Sequence, residues 1–197
     1  MSSAKGKAKR GSWPQGRDLR PFVTPLGTAR LGVCRENPCM CDYCDCRTMP
    51  AIAELGAEHE RLLNLGGRVR RAIAAGDAAA GRRTFDDLVA ILRVHTAVEE
   101  AGLLTELRAE GELDEHVAAL LDDHRSAWAA VDAVGRSVGA DWEAATGAFL
   151  NDLDSHIRRE EHDLFPASIP ALSPAAWQRV AAARQRVPTG RPGRIDA

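Results

Sequence analysis

Aromatic residues are scarce in this chain, and strand-like patterns are missing from it. Aromatics make up 5% of the 197 residues, with a single tyrosine among them. No stretch shows a convincing alternation of apolar and polar residues, which is the mark of a half-buried strand. The hydrophobic content of 45% is ordinary, and alanine supplies much of it. This balance favours an all-helical protein.

Long apolar runs are also missing. No run approaches the roughly 20 residues that a transmembrane helix needs, and the N-terminus lacks the apolar core of a signal peptide. We therefore expect no membrane association and a cytoplasmic location.

Lysine is confined to the first ten residues, at Lys5, Lys7 and Lys9, and every later cation apart from histidine is arginine. The surrounding segment is rich in Gly, Ser and Pro, a composition typical of disordered, solvated chain. It carries neither interleaved aromatics nor a folded basic face, so nucleic-acid binding is not expected.

Cysteine is absent after residue 46, because all five cysteines lie between residues 34 and 46. In a reducing cytoplasm such a cluster favours metal binding or redox exchange over structural disulfides. Cys41 and Cys44 have the spacing of zinc ligands, with Cys39 and Cys46 as further candidates. A second cysteine pair of the same spacing is missing, and a reactive tail that oxidises easily explains the cluster equally well.

What the chain does contain is helical periodicity. Apolar residues recur at steps of three and four, which predicts helices over residues 48–76, 78–109, 112–138, 141–164 and 174–187. Four long helices joined by short turns predict an all-α, up-down-up-down four-helix bundle with a short C-terminal helix. The expected organisation is a flexible, disordered extension with the Cys cluster over residues 1–47, the bundle over residues 48–170, and the short helix with a loose tail over residues 171–197.

Two copies of one ionisable motif interrupt the apolar faces. His95 is followed four and five residues later by Glu99 and Glu100, and His156 is followed at the same spacing by Glu160 and Glu161. Residues four apart lie about 40° apart around a helix, so each histidine and the first glutamate share one face. Burying a carboxylate without a partner is costly, so the pattern predicts a metal site between the helices.

Two further histidines occupy apolar positions on the other long helices. With a rise of about 1.5 Å per residue, all four histidines are placed roughly 12–18 Å along the bundle, in one layer with the two glutamates. Imidazole and carboxylate donors suit iron and manganese, and carboxylates can bridge two ions. We therefore predict two iron ions bridged by the two glutamates. The predicted ligands are His59, His95, Glu99, His124, His156 and Glu160.

Neighbouring ionisable residues are not predicted as ligands. Glu100 and Glu161 lie about 100° around their helices from the predicted ligands, so we expect them to be exposed or to support the ligands from outside. His162 points elsewhere again and is expected on the surface. His116 is about 12 Å along its helix from His124, too far to share an ion with it.

The combined pattern resembles the hemerythrin-like (HHE cation-binding) family over Met49 to Ile169. The matching segments are Glu58-His59-Glu-Arg, His95-x3-Glu99-Glu100, Asp123-His124-Arg125 and His156-x3-Glu160-Glu161-x2-Leu-Phe-Pro. The resemblance implies a four-helix bundle with a non-haem di-iron site that binds oxygen or related small molecules. The segment Met40-Cys-Asp-Tyr-Cys-Asp-Cys-Arg also resembles the opening of bacterial members. A translation start at Met40 is therefore an alternative to a start at Met1.

One departure from the family pattern bears on function. Classical oxygen carriers place two histidines one helical turn apart on the third helix, whereas here Leu120 and Leu121 precede His124. The site should therefore leave more positions open, which favours binding or sensing of oxygen, iron or reactive oxygen species, with O2 or H2O2 as the small-molecule partner. The alternative is an enzyme that consumes H2O2 or reduces nitrogen oxides. A third possibility is a redox switch that links the Cys cluster to the iron site.

Overall fold

The computed structural model describes residues 48–111 and 113–188, and every regular element in this part of the chain is helical. The all-helical fold expected from the sequence is confirmed. The elements are α1 (Pro50–Ala74), α2 (Ala78–Glu99), π1 (Glu100–Leu104), α3 (Thr105–Glu110), α4 (Asp114–Arg136), α5 (Gly139–Arg159), π2 (Glu160–Leu164), α6 (Phe165–Ala171) and α7 (Pro174–Arg186). The extension and Cys cluster predicted for residues 1–47 lie outside the described residues.

Local signals set several helix boundaries. The Asp77 side chain accepts a hydrogen bond of 2.9 Å from the Ala80 amide and so caps α2. Ser173 caps α7 in the same way, and Pro174 follows at the first helical position, where its missing N–H costs nothing. Gly76 and Gly111 adopt left-handed backbone angles, with φ of 71° and 75°, in the turns after α1 and α3.

The fourth long helix differs from its predicted bounds. It begins at Gly139 rather than Asp141, and it does not stop before Pro166 but continues through π2 and α6 to Ala171. Pro166 is the second residue after the π turn, where the regular hydrogen-bond ladder is already interrupted. A proline there removes less than it would from an unbroken α-helix.

Two apolar clusters fill the interior. Helix α1 runs from the first cluster, which contains Leu55, to the second cluster, which contains Leu62. The helix formed by α2 and π1 runs from the second cluster back to the first. The same order recurs along α4 and then α5. This alternation, together with the packing of α1 on α2, α4 on α5 and α1 on α5, agrees with the predicted up-down-up-down layout. A polar layer separates the two clusters.

Crossing a membrane requires length and apolar character together, and none of the helices in residues 48–111 and 113–188 combines them.

Candidate metal centre

The polar layer between the clusters contains all six residues that the sequence pattern singles out. The two glutamates, Glu99 and Glu160, are fully buried, and each of the four histidines is at most 7% exposed. The histidines come from four different long helices, and the glutamates lie where α2 and α5 pass into their π turns. The residues brought together in this layer are His59, His95, Glu99, His124, His156 and Glu160.

These side chains form two groups of possible metal ligands that share Glu160. One group contains Glu99, His124, His156 and Glu160, the other His59, His95 and Glu160, and the donor atoms within each group lie within 4.8 Å of one another. Glu160 Oε1 lies 2.9 Å from His156 Nε2, while its Oε2 lies 3.1 Å from His59 Nε2. One carboxylate therefore faces both groups, as a bridging ligand must.

Glu99 occupies the matching position on the other side of the layer. Its Oε2 lies 3.5 Å from His124 Nε2 and 3.8 Å from His95 Nε2, so it also faces a histidine of each group. His59 Nε2 and His95 Nε2 lie 3.1 Å apart. Four Nε2 atoms and two carboxylates thus point into one small volume.

The hydrogen-bonding state of these donors tests whether a cation fits. Both carboxylate oxygens of Glu99 and of Glu160 are buried without a hydrogen bond of acceptable geometry to the described residues, and so is Nε2 of His124 and of His156. Burying ionised groups unsatisfied costs several kcal/mol. A cation in each group would satisfy these atoms, and mixed imidazole and carboxylate donors suit iron or manganese.

A second set of carboxylates orients the histidines from outside. Each Nδ1 faces a carboxylate oxygen, and a carboxylate that accepts the Nδ1 proton leaves Nε2 free to bind a metal. The pairs are His59 with Glu161 at 2.9 Å, His95 with Glu58 at 3.1 Å, His124 with Glu100 at 2.8 Å and His156 with Asp123 at 3.6 Å.

This arrangement repeats between the two halves of the bundle. An acid followed by histidine occurs on α1 as Glu58-His59 and on α4 as Asp123-His124. In each half the acid faces the histidine of the next long helix, whereas its own histidine faces the second glutamate of the opposite half. The site therefore has an internal pseudo-two-fold relation. Glu58 and Asp123 were not among the residues predicted for the site, although the repeated acid-histidine pair was the available signal.

The comparison with known families covers most of the described bundle. The model of the Hemerythrin HHE cation binding domain matches residues 51–168. This chain belongs to the hemerythrin HHE cation-binding domain family. Neither a curated protein nor a solved structure matches the chain. The buried histidine and glutamate cluster is thus the candidate cation site of a hemerythrin domain.

The π turns of this hemerythrin domain place the paired glutamates. Glu99 immediately precedes π1, and Glu160 begins π2. In a uniform α-helix the second glutamate of each pair lies about 100° away from the first. Here a π turn begins at each pair, and both glutamates of the pair contact histidines. π turns occur often at functional sites. Neither turn was predicted, because steps of three and four assume a uniform α-helix and a single step of five is hard to recognise in so short a stretch.

The carboxylates also change the proton affinity of the hemerythrin-domain histidines. Burial by itself lowers a histidine pKa, but Glu160 and its fellow carboxylates more than offset this. They raise the pKa of His59 to about 10, of His124 to about 11 and of His156 to about 9. In return, although burial opposes it, the histidines hold the pKa of Glu160 well below its usual range.

The remaining histidines lie apart from the candidate cation site. His116 and His162 are exposed, and neither belongs to the two donor groups. Leu120 is buried one turn before His124, so α4 contributes a single histidine to the hemerythrin site. The cysteines considered as a zinc or redox site (Cys39, Cys41, Cys44 and Cys46) lie outside the described residues, and that assignment stays a prediction.

Proposed function

We propose that this hemerythrin-domain protein binds two iron ions and uses them to bind or sense oxygen, iron or reactive oxygen species. The observation that carries the proposal is the pair of buried donor groups joined by Glu160, with Glu99 facing both. The proposed ligands of one ion are His59 and His95, those of the other are His124 and His156, and the two glutamates bridge.

The donor types favour iron or manganese over zinc, and the membership in the hemerythrin family favours iron. Histidine nitrogens and carboxylates suit iron and manganese, whereas the thiolates that favour zinc lie no later in the chain than Cys46. Two bound iron ions would supply reversible electron transfer to oxygen or peroxide, chemistry that the side chains themselves lack.

The protein residues would control that chemistry in two ways. Glu161, Glu58 and Glu100 pair with the Nδ1 atoms of three histidines, and Asp123 lies 3.6 Å from Nδ1 of the fourth, His156. The apolar clusters on both sides keep bulk water away. Four histidines and two carboxylates supply fewer donors than two six-coordinate ions accept. That shortfall leaves room beside the ions for a small molecule such as O2 or H2O2.

A second candidate function is an enzyme that disproportionates H2O2 or reduces nitrogen oxides. The buried Leu120, at the place where a further histidine would lie one turn before His124, favours it, because fewer protein ligands leave more room for substrate. This candidate assigns no separate nucleophile, so turnover would depend on the metal.

Metal analysis and one activity measurement test these proposals. Iron, manganese and zinc are measured per chain in the purified protein, and oxygen evolution is followed after H2O2 is added. We expect two iron ions per chain. Oxygen evolution in proportion to iron content would favour the enzyme over the sensor, whereas a protein that takes up no iron would contradict both.

A pair of histidine variants tests the ligand assignment. His156→Ala should lose the ion assigned to His124 and His156, while His162→Ala should retain both ions, because His162 is exposed on the same continuous helix. Full iron content in His156→Ala would show that the assignment is wrong. Zinc that persists in His156→Ala but disappears from Cys41→Ser would support the separate Cys metal site.

A further inference from the structure

Helix α7 lies beyond the segment matched by the hemerythrin family, yet it packs beside the polar layer that contains the proposed ligands. The family match ends at residue 168, whereas α7 spans Pro174–Arg186. It contacts π1, the turn that follows Glu99. The approach is close at Gly102, where an added Cβ would lie 2.9 Å from the Ala183 Cβ and 3.2 Å from the Val180 carbonyl oxygen.

Arg184 connects α7 to one metal-facing histidine through a single carboxylate. Its Nη1 and Nη2 donate to the two oxygens of Glu58, at 2.6 and 3.0 Å. The same Glu58 Oε2 lies 3.1 Å from His95 Nδ1. This bidentate contact fixes the plane of the Glu58 carboxylate, and the carboxylate in turn orients the His95 imidazole.

The pseudo-two-fold relation shows why an arginine is needed from α7. In the other half Asp123 faces His156 and accepts a hydrogen bond of 2.6 Å from Arg159 Nη2. Arg159 directly precedes the bridging Glu160, but the residue that directly precedes Glu99 is the buried Val98. The first half therefore lacks an arginine of its own at this position, and Arg184 supplies the cation from a different helix.

We propose, building on the di-iron function proposed above, that Arg184 is a positioning residue for the ion held by His59 and His95. Helix α7, which carries Arg184, then belongs to the metal site. Arg184 holds Glu58 in the orientation in which it accepts the Nδ1 proton of His95. Without the guanidinium, Glu58 can turn toward solvent, and His95 loses its fixed ring orientation.

The test compares Arg184→Met with Arg179→Met in the full chain. Arg179 lies on the same helix and pairs with Glu106 at the surface, away from the ligands, so it controls for loss of an α7 ion pair. Arg184→Met should weaken binding of one iron ion by about 10–100-fold, the usual effect of removing a group that orients a ligand. The second ion should keep its wild-type affinity. Arg179→Met should bind both ions normally.

Spectroscopy and a second variant separate positioning from general stability. In the Mössbauer spectrum of Arg184→Met only the signal of one iron should change, and Glu58→Gln should change the same signal. The double variant should add little to either single variant, because both break one chain of contacts. Arg184→Lys should recover affinity only in part, since an ammonium lacks the planar fork.

Several outcomes would overturn this role of Arg184. Wild-type affinity and spectrum in Arg184→Met would do so, and so would equal weakening of both ions together with a lower melting temperature, which indicates a merely structural contact. A wild-type protein that takes up no iron would instead contradict the proposed di-iron function itself.

Discussion

At the scale of single residues, burial assigns different tasks to adjacent glutamates. Glu99 and Glu160 are fully buried and face Nε2 atoms, whereas the Glu100 and Glu161 side chains are 43% and 15% exposed and face Nδ1 atoms. A carboxylate in contact with water can accept a hydrogen bond without a large desolvation cost. A fully buried one needs a cation. The inner pair is therefore suited to metal binding and the outer pair to orienting the histidines.

Removing an outer glutamate should weaken one ion and spare the other. Glu161→Leu should raise the dissociation constant of the ion held by His59 and His95 by about 10–100-fold, and Glu100→Leu should do the same for the ion held by His124. Competition with a chelator measures both constants. Glu143→Leu, an exposed change on α5, serves as the control. Equal loss of both ions in either variant would contradict the assignment of one outer glutamate to each group.

Protons and metal should compete for the same histidines. Because the nearby carboxylates raise the pKa of His59 to about 10 and of His156 to about 9, these imidazoles carry an extra proton at pH 7 in the metal-free protein. A metal needs the deprotonated nitrogen, so metal uptake should release protons and its affinity should rise with pH. Titration with ferrous iron in weakly buffered solution measures the release, and uptake without it would contradict this protonation state.

The same pKa values give a sign for the stability of the metal-free protein. A histidine whose pKa rises on folding from about 6.5 stabilises the fold fully below pH 6.5, and this contribution falls as pH rises toward the folded pKa. For His156, His59 and His124 the folded pKa values are about 9, 10 and 11. The melting temperature of the metal-free protein should therefore fall from pH 6.5 to pH 9. An increase over that range would contradict the prediction.

At the scale of helices, sequence reasoning recovered the elements and the residues that meet but missed their local geometry. Steps of three and four predicted the long helices, and the His95 and His156 motifs predicted which side chains share the core layer. The π turns were missed because that periodicity assumes a uniform helix. The Arg184–Glu58 contact was missed because it joins residues 126 positions apart, and no local pattern marks such a pair.

The contact between α7 and π1 predicts opposite effects for two glycine substitutions. Gly102→Ala should lower the free energy of unfolding by about 1–3 kcal/mol, because the new methyl group meets Ala183 and the backbone of Val180. Gly147→Ala, within α5 with no neighbouring atom inside 4 Å of the added Cβ, should raise it by about 0.5–1 kcal/mol. Urea denaturation measures both.

The Gly102 substitution also reports on the metal layer. Because α7 carries Arg184, displacing the helix should weaken iron binding as well as lower stability, whereas Gly147→Ala should leave iron content unchanged. If Gly102→Ala were as stable as the wild type, the close packing of α7 on π1 would be wrong.

At the scale of the whole molecule, the polar layer divides the core in two. Leu55 and Leu164 belong to one apolar cluster, Leu62 and Leu153 to the other, and the proposed ligands lie between them on every long helix. Two bound cations would therefore together join α1, α2, α4 and α5 at the level where apolar packing is interrupted. The ions would also satisfy the buried carboxylate oxygens of Glu99 and Glu160, which lack a hydrogen bond to the described residues.

Metal loading should accordingly raise the stability of the whole bundle rather than of one helix. At a free metal concentration about 100 times the dissociation constant, binding to the folded state adds about 2.7 kcal/mol per independent site. Calorimetry should show a single transition that moves to higher temperature on iron addition and returns after a chelator is added. His156→Ala should show a smaller shift, because one donor group has lost a ligand. If iron left the transition unchanged, or raised only part of a split transition, the proposal that the ions lie across all four helices would be wrong.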